Sequence, residues 1–109
     1  MLIPAILLAA SGLYFETGES LYRKCIAEDV RERYYCYGFV SAVSDSVVSY
    51  KSVGAHQPVC IDTKLTRQDL RDTVVAYLRA NPARRPLAAS DLVIIALKEA
   101  YPCGPADPD

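Results

Sequence analysis

The sequence predicts an all-α fold: a small, disulfide-bonded four-helix domain built from two αα-hairpins. Three observations carry that expectation. Apolar residues recur at helical spacing in four segments separated by proline, glycine or polar breaks. The 109 residues, 51% of them hydrophobic, have room for one core. The four cysteines are even in number, as a disulfide framework in a chain with a marginal core requires.

The first helix is expected in "TGESLYRKCIAED", where Thr17 is the N-cap and Leu21, Tyr22, Cys25 and Ile26 share a face. The second is expected in "RERYYCYGFVSAVSDSVVSY". There Cys36, Val40, Val43, Val47 and Tyr50 step by four, three, four and three, with Ser41, Ser44, Asp45 and Ser49 mostly off the stripe. Its valines favour strands, but the period is not two, so helix is the reading. From Lys51 to Leu65 the pattern stops around Gly54, His56 and Pro58, which predicts a long loop.

A third helix follows from "LTRQDLRDTVVAYLRANP", with Thr66 as N-cap, Asp69 completing a shortened capping box, and Leu70, Val74, Tyr77 and Leu78 on one face. Asn81 and Pro82 stop it, because a residue before proline is pushed out of the α region. The fourth, "ASDLVIIALKEAYP", gathers Val93, Ala96, Leu97, Ala100 and Tyr101, broadened by Leu92 and Ile95, and ends at Pro102. Residues 104–109 are read as a flexible acidic tail.

Residues 1–11 lie in an apolar stretch ending in small residues, "MLIPAILLAASG", which has the pattern of a secretory signal peptide cut after Ser11. The stretch is shorter than the ~20 apolar residues a spanning helix needs. It also lacks a basic residue ahead of the apolar run. The expected location is therefore the periplasm, and no membrane span is expected. Export makes disulfides the natural reading of Cys25, Cys36, Cys60 and Cys103. An antiparallel first hairpin brings Cys25 to Cys36, and an antiparallel second one brings Cys60 to Cys103. Pairing Cys25 with Cys60 and Cys36 with Cys103 is also compatible with the sequence.

Chemistry is sparse. There is no C-x-x-C and a single histidine, His56, so a zinc site would need long-range assembly, and none is expected. A Cys36 nucleophile would need His56 and a third, orienting group, and none is evident. No phosphate-binding glycine loop, G-x-S-x-G or H-E-x-x-H motif occurs. Hence no catalytic residue and no cofactor are expected, and the chain reads as a non-enzyme. A formal charge of −1 offers no field for nucleic acid or an anionic membrane. The carboxylates of Glu28-Asp29 and Asp69-x-x-Asp72 read as solvated helix faces, and Arg84-Arg85 as a solvated basic corner. Eight tyrosines without tryptophan are more informative. Tyr35, Tyr77 and Tyr101 are expected to pack on the core, whereas Tyr34 and Tyr37 are candidate interface anchors, a large ring with a hydrogen-bonding tip. Lys51, His56 and Gln57 join them as candidate partner contacts in the loop.

In order and spacing, Cys36-Tyr37-Gly38-Phe39, Cys60-Ile61, the helix Leu65 to Pro82 with Asn81 where histidine is usual, and Leu92-Val93, Ala96-Leu97 and Tyr101-Pro102-Cys103 resemble the Rap/Tai family of periplasmic immunity proteins. The resemblance covers residues 16–103. It implies a helical, exported binder that occludes a type VI secretion peptidoglycan amidase, often as a homodimer. The matching residues look like the family's framework, so the resemblance designates no effector contact. The competing class is a small periplasmic stress or holdase-type chaperone. A lone histidine argues against an acid-triggered switch of that kind.

Overall fold

The computed structural model describes residues 14–52 and 59–104, without the side chains of Lys51 and Ser52. The expected signal segment, His56, Gln57, the end of the tail and the Lys51 side chain lie outside the described residues. Four helices follow one another: α1 (Gly18–Ile26), α2 (Val30–Ser52), α3 (Arg67–Ala80) and α4 (Ala89–Ala100), with a 3-10 turn at Pro82–Arg84. Among the described residues there is no β-strand, only isolated bridges joining Thr17 to Ala88 and Val59 to Pro102. No described helix is long and apolar enough to cross a membrane.

Each start has a local cause. Thr17 caps α1 in a reciprocal box with Ser20, and Thr66 caps α3 in one with Asp69, so orphan amides at both ends are satisfied from the sequence itself. The Asp29 carboxylate accepts the Arg31 amide at 2.8 Å, which closes the first turn of α2. At the other end of α1, Arg71 on α3 donates two hydrogen bonds, of 3.2 and 2.7 Å, to the carbonyl of Cys25.

The predicted stripes meet in one core. Leu21, Cys25, Cys36, Val40, Val47, Val74, Leu78, Leu92, Val93 and Leu97 are all buried. Every helix touches the other three, so the two hairpins interlock rather than merely stack. The disulfides are Cys25 to Cys36 and Cys60 to Cys103, with Cα atoms 5.0 Å apart in each. The hairpin pairing is thus realised and the crossed pairing is not.

Tyr50, expected on the α2 stripe, is 50% exposed. The helix is 23 residues long, against 14 for α3 and 12 for α4. At ~1.5 Å per residue it outreaches its partners by a dozen or so ångströms, and beyond buried Val47 no other described helix covers Tyr50. Ser44 departs in the other direction. Read as mostly off the stripe, it is 4% exposed, because the turn before α3 closes over that flank of α2.

The connection from α3 to α4 completes α1. Its carbonyls at Leu87 and Arg85 accept the amides of Gly18 (2.9 Å) and Glu19 (2.8 Å), and the Ala89 amide donates to the Glu16 carbonyl at 3.0 Å. Glycine is required at 18 by this close approach: a Cβ would sit 3.0 Å from the Arg85 carbonyl oxygen and closer still to Leu92. Leu92 is 1% exposed and cannot swing away into solvent. Gly18→Ala is therefore expected to lower the unfolding free energy by about 1–3 kcal/mol in urea titrations, despite alanine's better helix propensity. A stabilised variant would show that the connection yields freely.

Candidate functional site

Successive residues of α2 turn by ~100°, so the core stripe through Cys36 and Val40 leaves two flanks. One flank carries Tyr34 and Tyr37, three residues apart and therefore neighbours. Tyr34 is 67% exposed and Tyr37 is half-buried, and their ring centroids lie 6.2 Å apart. Neither points into the core. The pair forms an exposed aromatic platform near the start of α2.

The opposite flank carries Tyr35 and Phe39, stacked with centroids 6.3 Å apart. Tyr35 was expected in the core but is 46% exposed, since it lies about a quarter-turn from Cys36 around the helix. What holds it is polar. Its hydroxyl donates to the Glu16 carboxylate at 2.8 Å, and the Lys24 ammonium sits 4.3 Å from its ring centre. Glu16, 6% exposed, also accepts from Ser20 and pairs with Lys24 at 2.9 Å. Burial pushes the Glu16 carboxyl upward, but the hydrogen bonds from Ser20, Lys24 and Tyr35 outweigh it and hold the group below the usual carboxylate range. The same bond to Glu16, helped by burial, raises the Tyr35 phenol. Glu16, Tyr35 and Phe39, together with Tyr14, Phe15, Val43 and Ser90, line an apolar groove of about 260 Å³.

Tyr77 and Tyr101 behave as expected. Tyr77 is buried with its hydroxyl accepting from Arg84 at 2.7 Å, and Tyr101 is half-buried with its hydroxyl 2.7 Å from that of Thr73. The basic corner does not. Arg85 stacks on the Tyr22 ring at 4.1 Å, donates to the Leu78 carbonyl at 2.8 Å and keeps only 17% of its side chain exposed. The unfilled carbonyls at the end of α3 draw it inward, so the corner is structural. A wider trough of about 440 Å³ between α3 and α4 is lined half by alanines, and of its polar members Thr73, Tyr77, Asn81 and Glu99 the first three are already hydrogen-bonded.

A further groove, of about 310 Å³, lies on the Tyr34/Tyr37 side of α2, between Ser41, Ser44 and Asp45 and the segment from Ile61 to Leu70. Nothing local in the sequence marks it, because Ser41 and Ser44 fall mostly off the core stripe and their closure by residues 61–67 is a long-range event.

All four cysteines are in disulfides, which removes Cys36 as a nucleophile and leaves it a structural link. Among the described residues no cluster of three or more His, Cys, Asp or Glu is placed to hold a metal ion. Hydrogen bonding to its neighbours, the Arg31 amide foremost, also lowers Asp29. Glu16, Asp29 and Tyr35 are thus each held more firmly in their ordinary charge state at neutral pH, the reverse of what a general acid or base needs.

The sequence matches the family model described as Rap1a immunity proteins over residues 17–103. No curated protein and no solved structure matches the chain.

Proposed function

The chain belongs to the Rap1a immunity protein family, and from that membership we propose that it is a periplasmic immunity protein that binds a type VI secretion peptidoglycan amidase and blocks its active-site groove. The exposed Tyr34–Tyr37 platform is the observation that carries the reading to particular residues. Two neighbouring rings on an exposed flank of a helix can enter a concave site without any rearrangement of the core. Tyrosine also loses little conformational entropy on docking. Occlusion by such anchors needs no catalytic group. The expected loop does not start at Lys51, because α2 runs on through Ser52; the stretch from Lys51 to Val59 still belongs to the same proposal as a second element, since its far end is pinned by buried Val59, the bridge to Pro102 and the Cys60–Cys103 disulfide. The homodimer implied by the resemblance belongs to it too.

The test is binding and inhibition of purified type VI secretion peptidoglycan amidases. The oxidised protein is expected to form a stoichiometric complex that abolishes amidase activity. Tyr34→Ala/Tyr37→Ala is expected to weaken it by about 100-fold, the scale of two central aromatic contacts, with an unchanged melting temperature. Full affinity in the double variant would remove these tyrosines from the interface, and absence of any complex would remove the immunity reading.

A further inference from the structure

On the strength of that immunity reading, we propose that the groove between α2 and the turn before α3 is the second half of the effector footprint, and that it receives an extended main-chain segment of the amidase. The footprint must reach beyond the tyrosines. A stable protein interface covers about 800 Å² per partner, and two aromatic side chains supply about 500 Å² at most. On the Tyr35 flank the polar groups are already spent on one another, in the Glu16, Lys24 and Tyr35 cluster. On the Tyr34/Tyr37 flank they are not.

Tyr37, Ser41, Ser44 and Val48 follow at steps of four, three and four, so one side of α2 runs from the aromatic platform into the groove. Tyr37 and Ser44 are seven residues apart, about 10 Å along the axis, within reach of a single docked loop. The Ser41 hydroxyl oxygen is buried and has no hydrogen-bond partner. Ser44, 4% exposed, lines the same groove. An unmade bond at a buried hydroxyl is costly, and native structures tolerate it where something else completes it. Asp45 on α2 and Arg67 at the start of α3 stand at the rim, and neither pairs with another described residue.

These features specify the occupant. Serine and threonine hydroxyls both donate and accept, as does each peptide unit of a main chain. Ile61, Leu65 and Leu70 provide an apolar floor for one small side chain. Asp45 and Arg67, of opposite sign, suit a segment carrying a basic and an acidic residue. The volume of about 310 Å³ admits a short stretch of chain rather than a helix.

The experiment uses Ser41→Ala, Arg67→Glu and, as a control on exposed α4 surface, Lys98→Glu, each titrated against the type VI secretion peptidoglycan amidase that the wild-type protein is tested on. Ser41→Ala is expected to leave the melting temperature unchanged or raise it, because it removes an orphan hydroxyl, and to weaken the complex about tenfold. Arg67→Glu is expected to keep the fold, glutamate being favourable in a first helical turn, and to weaken binding by a similar factor. Lys98→Glu is expected to bind like the wild type. Wild-type affinity in either groove variant overturns the proposal. Failure of the wild-type protein to bind the amidase overturns the immunity reading itself, and the groove proposal with it.

Discussion

Full reduction of the two disulfides is expected to unfold the domain at about 37 °C, as is common when small secreted domains lose their cystines. Cys25 and Cys36 are 11 residues apart and Cys60 and Cys103 are 43 apart. Loop-closure entropy then assigns about 3 kcal/mol to the first link and about 4 to the second. Neither loop contains the other, so the contributions add to about 7 kcal/mol, as large as the whole stability of many small domains. Reduction should also be ordered. Cys60 and Cys103 are each half-buried, whereas Cys25 and Cys36 are 0% exposed, and thiol exchange requires access to sulfur. Dithiothreitol titration with alkylation and mass mapping should therefore label Cys60 and Cys103 first, and circular dichroism should lose the helical signal when the second pair opens. Earlier labelling of Cys25 and Cys36, or a cooperative transition surviving full reduction, would contradict this account.

The second large effect is expected at Glu16. Glu16→Ala removes a carboxylate held by Lys24, Ser20 and Tyr35 and leaves a partly covered ammonium, 29% exposed, without its partner. Breaking a buried pair costs about 3–5 kcal/mol, and the access of water to Lys24 places the expected loss near the lower end, about 3 kcal/mol. The pH dependence has a definite sign. The folded-state pKa is depressed, so the carboxylate's contribution is present above its unfolded value near 4.5 and is lost as pH falls through the folded value. Urea titrations should show the wild type losing stability below about pH 4.5, and Glu16→Ala losing less. The gap between the two narrows in acid. Some acid sensitivity remains in the variant, because Asp29, on the surface, is shifted in the same direction. A gap that stays constant from neutral pH to acid would mean that the glutamate acts through packing rather than charge.

Much of the fold could be read locally. Thr17 and Thr66 mark helix starts because a hydroxyl before an amphipathic run has few other uses, and both boxes form. Asn81 and Pro82 mark a stop that steric exclusion enforces, and α3 ends at Ala80. Hairpin geometry favours the observed cysteine pairing, because it places each couple at one end, but the crossed pairing stayed open until the structure excluded it. The candidate site was half legible. The spacing of Tyr34 and Tyr37 from Cys36 takes both rings off the core face, but the same arithmetic applied to Tyr35 shows that its flank, not the core, was the place to expect it. The serine groove was illegible, since Ser41 and Ser44 acquire their surroundings only when residues 61–67 arrive.

The sequence alone determined the class of this protein: helices, their caps and stops, the cystines, and a family framework. Those properties arise from neighbours within four residues or from an order of residues that survives without coordinates. Tertiary structure alone decided what each polar side chain does. It turned Arg85 inward onto Tyr22, buried Glu16 beneath Tyr35, left the Ser41 hydroxyl without a partner and exposed Tyr50 near the end of α2. A charged or hydroxyl group takes its role from whichever group reaches it within hydrogen-bonding distance, and in a bundle whose four helices all touch, those groups come from distant parts of the chain.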